Sequence, residues 1–184
     1  SFANVFTVNY GADGAGSTAY ALNVVNAASG LIDTATGQAV TMSVVNGQIV
    51  GTAGGNTVFT ISVSASGVVT LDQVRAVQHA DGNNANDTVT LAANSISLTA
   101  TATDKDGDKA SQTVNLGAGF VFTDDAPSVT ASGTAAATLT VDESDLATNA
   151  SASFANVFTV NYGADGAGST AYKLAVVNAA TGLV

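Results

Sequence analysis

Residues 1–32, SFANVFTVNYGADGAGSTAYALNVVNAASGLI, return at 153–184 as SFANVFTVNYGADGAGSTAYKLAVVNAATGLV. The copies align without a gap at an offset of 152 and differ only at Ala21/Lys173, Asn23/Ala175, Ser29/Thr181 and Ile32/Val184. A unit of this length exceeds the roughly 20 to 50 residues of a solenoid turn. It matches one domain of roughly 100 to 200 residues. The expected organisation is therefore a tandem array of near-identical domains, of which this chain covers a little over one period.

Inside the repeat, Phe6, Val8 and Tyr10 alternate with Thr7 and Asn9, and Tyr20, Leu22 and Val24 alternate beyond the Gly11–Gly16 turn. Period-two alternation places apolar side chains on one face of a strand, so these two runs are expected to form a hairpin. Positions 21 and 23 then fall on its solvated face, where two copies can differ freely. The same reading continues outward. Val40, Met42 and Val44 alternate up to Asn46-Gly47, the dipeptide that supplies the two positive-φ positions of a type I′ hairpin before Gln48–Thr52. Phe59, Ile61 and Val63 face inward, and Ser66-Gly67 turns the chain into Val68–Val74. Ile96, Leu98, Ala100 and Ala102 form a further strand, followed by Val114, Leu116, Phe120 and Phe122 with a bulge or bend at Gly117 and Gly119.

Many short strands joined by turns, without a helical period, predict an all-β antiparallel β-sandwich. The abundant alanines are interleaved with Thr and Val at period two, and pattern outweighs weak propensity. Asp142–Asn149 has room for a short helical turn at most. Pro127, the only proline, fixes φ and removes a ladder donor, which suits a joint between domains. Residues 1–125 are then a repeat lacking its N-terminal strands, and 126–184 the start of the next. Residues 127–152 could alternatively pack back onto the first unit.

Composition narrows the function. A formal charge of −10 with only four Lys and Arg disfavours nucleic acid and anionic membranes, which require a basic footprint; cations are the natural counter-species. The absence of cysteine excludes disulfides and thiolate metal sites. No apolar run approaches the ~18 residues of a membrane helix, and no initiator Met or secretory leader is present, so the expected context is an internal segment whose export signal lies elsewhere.

The acids cluster. Asp104, Asp106, Asp108, Asp124, Asp125, Asp142, Glu143 and Asp145 place eight of the 14 acidic residues in a 42-residue stretch around the joint. Asp104, Asp106 and Asp108, spaced i, i+2, i+4, direct like charges towards one side of a turned backbone, where they must be solvated apart or share a cation. Calcium suits them best, since it accepts six to eight hard oxygens in flexible geometry. Candidate ligands are Asp104, Asp106, Asp108, Asp124, Asp125, Asp142 and Glu143; the competing reading is a solvated polar hairpin tip. The run is not an EF-hand, because Gly107 comes too early and the twelfth position is Asn115. Asp13 and Asp165, in the Gly-Ala-Asp-Gly turns, read as turn formers. Catalysis is not expected: His79 is the only histidine and reads as a strand-end residue, and no nucleophile motif accompanies it. Without Trp there is no obvious sugar platform beside the paired acids. Two Asn-x-Ser/Thr matches, at Asn86 and Asn149, read as chance.

Asp-Lys-Asp-Gly-Asp before a strand, Phe-Thr-Asp-Asp-Ala-Pro-Ser-Val at the joint, Leu-Thr-Val-Asp-Glu-Ser after it and Phe-Thr-Val-Asn-Tyr-Gly-Ala-Asp-Gly-Ala-Gly-Ser together resemble the large tandem repeats of giant, type I secreted RTX-family bacterial adhesins. The resemblance covers essentially the whole chain. It implies immunoglobulin-like or cadherin-like extender domains that bind calcium near their junctions and hold an adhesive tip away from the cell surface, in adhesion and biofilm formation. Asp-Asp-Ala-Pro is also similar to the cadherin linker but lacks its preceding Asp-x-Asn, and the glycine-rich RTX nonapeptide is absent. The expected partners are neighbouring repeats and calcium ions. The alternative is a repeated binding module whose outward Thr and Ser rows meet a glycan, ice or a host protein.

Overall fold

A computed structural model describes residues 2–180; the differences at Thr181 and Val184 lie outside the described residues. The chain is all-β with antiparallel pairing throughout. In order, the strands are β1 (Ala15–Val24), β2 (Ala28–Ile32), β3 (Ala39–Val45), β4 (Gln48–Ala53), β5 (Asn56–Val63), β6 (Val69–Gln73), β7 (Thr88–Thr90), β8 (Ile96–Asp104), β9 (Lys109–Asn115), β10 (Val121–Thr123), β11 (Ser128–Ala131) and β12 (Phe158–Asn161). β2 to β6 form a five-stranded meander, β1, β8 and β9 a three-stranded sheet with β8 central, and β10/β7 and β11/β12 two short pairs. None of the described helical segments is long and apolar enough to cross a membrane.

The β3–β4 hairpin forms at Asn46-Gly47, with φ of 51° and 79° and Val45 opposite Gln48. Its alternation sends Val40, Met42, Ile49 and Ala53 inward, joined by Val58, Phe59 and Ile61 from β5. Across from them β1 and β8 contribute Leu22, Ile96 and Leu98 to the same core, and β1 packs over β3, β4 and β5. Gly51 lies under the Phe59 ring, which a Cβ there would meet at 2.4 Å, so the absence of a side chain lets that ring reach Phe122, 5.5 Å away between centroids. The predicted bend at Gly117 and Gly119 is a 3₁₀ turn. It carries the chain from β9 in one sheet to β10, paired with β7, in another.

The hairpin expected from Phe6–Tyr10 and Tyr20–Val24 does not form. β1 pairs with β8 instead, Tyr20 opposite Ala100 and Leu22 opposite Leu98, and residues 6–10 have no strand pairing. The second copy explains why. There Phe158–Asn161, the counterpart of 6–9, pairs with β11, Val160 opposite Val129. Among the described residues, 6–9 lie beside no counterpart of β11. Conversely, residues 167–176 repeat β1 almost unchanged, yet without a β8 beside them they form no strand. Leu22 is 3% exposed and its counterpart Leu174 is 99% exposed. Contacts local in sequence survive in both copies: the Tyr10–Thr18 hydroxyl bond is 2.6 Å, as is Tyr162–Thr170.

A half-buried ion pair closes one end of the core. Asp33, 0% exposed, accepts Arg75 Nε at 2.8 Å and Nη2 at 3.0 Å, and also the Thr36 hydroxyl at 2.6 Å. The backbones of Asp33 and Val77 form an isolated antiparallel bridge, so this fork ties the exit of β2 to the segment after β6. The Arg75 hydrogen bonds, aided by Thr36 and opposed by desolvation, lower the Asp33 pKa from 3.8 to about 2. Its contribution to stability is complete above the unfolded value of 3.8 and disappears as pH falls through about 2. In thermal melts across that window, the gap between the native chain and Asp33→Asn is expected to narrow as acid is added; a constant gap would contradict the linkage.

Candidate metal centre

Two groups of three carboxylates occur among the described residues, each with one oxygen per residue lying within 4.8 Å of the others. The first joins Asp13 to Asp104 and Asp106. Asp104 ends β8, and its carboxylate accepts the backbone N–H groups of Gly107 at 3.1 Å and Asp108 at 2.8 Å, with Gly107 at a φ of 104° closing the tip. The β1 ladder slips between Ala15 and Ser17, where Gly16 passes so close to β8 that a Cβ would meet the Thr103 carbonyl at 2.4 Å. This approach lays the Gly-Ala-Asp-Gly turn, and Asp13 with it, over the hairpin. Hydrogen bonding with Asp106, then the Asp108 and Gly107 amides, hold the Asp104 carboxyl below its ordinary range against desolvation.

The second group joins Asp124 and Asp125, which follow β10, to Asp165 from the second copy. Asp124 N–H donates to the Asp87 carbonyl at 2.8 Å, which anchors the pair to the loop before β7. Asp125 reaches the other way: its Oδ2 accepts Ala164 N–H at 2.9 Å. Gly163, at φ +74°, lies against the same carboxylate, 2.5 Å from where its Cβ would be. Gly11, its counterpart at φ +75°, has nothing within 4 Å. These three acids border a cleft of about 320 Å³ shared with Arg75 and His79.

The remaining candidates are placed elsewhere. The Asp108 carboxylate is outside both groups, although its backbone N–H and C=O close the hairpin with Asp104. Asp142 accepts the Ser144 hydroxyl at 2.6 Å and its N–H at 2.8 Å, bonds that lower its pKa. Asp142 and Glu143 are exposed and join neither group. Asp13 and Asp165, read from sequence only as turn residues, complete one group each. Their shared place in the two copies, 152 residues apart, was the available signal. Oxygen-only sets of this kind suit hard cations, calcium before magnesium where the geometry is irregular.

Residues 1–117 and 138–184 match the sequence family described as Domain of unknown function (DUF5801). The chain belongs to that family. The interval between the matched segments, 118–137, contains β10, Asp124, Asp125, Pro127 and β11, the stretch where the sequence places the expected joint. No curated protein and no solved structure matches the chain.

Gly163→Ala and Gly11→Ala share the backbone strain of a positive φ, roughly 1 to 2 kcal/mol, but only the former collides with Asp125. Hydrogen exchange at Val129 and Val160 is expected to accelerate in Gly163→Ala and to stay native in Gly11→Ala. Equal behaviour would mean that the Asp125 contact does not hold the joint.

Proposed function

We propose that this chain is a non-enzymatic spacer segment of a secreted bacterial surface adhesin, built of tandem immunoglobulin-like β-sandwich repeats whose joints are stiffened by calcium. The observation that carries the reading is the meeting of Asp124 and Asp125, at the end of one repeat, with Asp165 at the start of the next. The repeat offset strengthens it. Asp13 and Asp165 are the same position in successive copies, and one faces its own hairpin acids while the other faces the preceding joint. In an uninterrupted array each Gly-Ala-Asp-Gly turn would carry both sets: the counterparts of Asp104 and Asp106 from its own unit, and of Asp124 and Asp125 from the unit before. Five carboxylates around one turn are a strong source of repulsion without a cation and a rich oxygen set with one. Calcium then narrows the angles between neighbours and turns a string of domains into a reaching stalk. In a calcium-poor cytosol the joints stay loose, and metal linkage stabilises them once outside.

The outward hydroxyl rows favour this reading over a glycan, ice or host-protein binding face. Thr99 and Thr113, and Thr101 and Ser111, bond each other at 2.8 Å across β8 and β9, which engages one hydroxyl proton of each pair within the sheet and leaves fewer donors for a ligand.

Calorimetric titration with calcium chloride should give measurable binding, weakened on the order of tenfold by Asp165→Asn as the ligand charge count falls. Small-angle scattering should show a longer, less variable particle with calcium than with chelator. No binding heat and superimposable scattering curves would reject the calcium mechanism.

A further inference from the structure

Cationic side chains are scarce in this chain, so the place of each one counts. Of the four, Arg75 is bound to Asp33, and Lys105 and Lys109 both belong to the hairpin that joins β8 to β9. Lys105 stands between Asp104 and Asp106, two members of the first acidic group. Its side chain leaves the hairpin and crosses the Gly-Ala-Asp-Gly turn: Cδ, Cε and Nζ lie 3.9, 3.9 and 4.0 Å from where a Cβ on Gly14 would be. Gly14, at a φ of 86°, directly follows Asp13, the third member of the group. One side chain therefore spans both halves of the group, rooted between two of its acids and ending at the residue beside the third.

We propose that Lys105 is the resident counter-ion of Asp13, Asp104 and Asp106, a tethered cation that holds the Gly-Ala-Asp-Gly turn on the β8–β9 hairpin and that a soluble cation must displace. Three carboxylates whose oxygens lie within 4.8 Å of one another repel unless positive charge stands among them. The amides of Gly107 and Asp108 serve Asp104 on the hairpin side; Lys105 carries charge across to the Asp13 side. Its chemistry suits a replaceable partner, because lysine is a compact point charge on a flexible stem rather than a rigid fork. Among the described residues the ion pair in direct contact is Arg75 with Asp33, so the Lys105 ammonium is held by its stem on Gly14 and by the field of three acids, and is free to swing out. The displacement rests on the calcium reading; the counter-ion role does not.

Lys105→Met keeps an unbranched stem and removes the charge, whereas Lys105→Arg keeps the charge. With chelator at low salt, hydrogen exchange in residues 13–16 should quicken about two- to fivefold in Lys105→Met and stay native in Lys105→Arg. The difference should vanish in about 1 M sodium chloride, where exposed charges are screened. Calorimetric titration with calcium chloride should show tighter binding by Lys105→Met than by the native chain. Native exchange in Lys105→Met, or a difference that persists in high salt, would overturn the counter-ion role. Equal calcium affinity in the two chains would overturn the displacement alone, and an absence of binding heat in both would reject the calcium reading and the displacement together, with the exchange rates still deciding the counter-ion role.

Discussion

Strand pairing between β1 and β8 is the constraint on which the rest depends. A strand gains little from alternation alone; it needs ladder bonds on at least one edge and a surface against which to bury its apolar face. Two nearly identical sequences in one molecule separate these requirements. With β8 present, Leu22 is buried and β1 runs ten residues. Without it, residues 167–176 keep their turn and the Tyr162–Thr170 bond but lose the strand. Local sequence therefore specifies the Gly-Ala-Asp-Gly turn, and the tertiary partner specifies the sheet.

That pairing also builds the first acidic group. The slip at Gly16 depends on the missing side chain, because the Thr103 and Asp104 carbonyls occupy the space a Cβ would need. Gly168, the same position in the second copy, has nothing within 4 Å. Its smallness matters only once β8 arrives. The position of Asp13 is thus a consequence of sheet register rather than of its own turn, which is why the same turn can present Asp165 to a different pair of acids.

Alternation and turn chemistry made much of this fold legible in sequence. Asn46-Gly47 fixes its own backbone, and Phe59, Ile61, Ile96 and Leu98 declare their face by period two. Gly117 and Gly119 marked the passage between sheets. What stayed hidden was pairing at a distance. The choice of β8 rather than residues 6–10 as the partner of β1 is decided by elements about 80 residues apart, and alternation carries no information about partner identity. Asp33 and Arg75, 42 residues apart, gave no local sign of their ion pair. The acidic stretch was visible as composition, but its sorting was not: Asp13 and Asp165 join through tertiary approach, whereas Asp142 is satisfied by its own neighbour Ser144.

The joint combines two opposed interactions. Asp125 accepts the Ala164 N–H, a directional bond that holds the second copy's turn against the segment that follows β10. The same bond draws Asp165 towards Asp124 and Asp125, so the geometry that satisfies the backbone amide concentrates negative charge. A charge-assisted hydrogen bond at an exposed site is modest in strength, and crowding of like charges works against it. On the proposed reading the joint is poised between docked and open forms, and a cation need not create the docked arrangement. It has only to bind that arrangement better than the open one, shifting a population whose contacts are already specified by the chain.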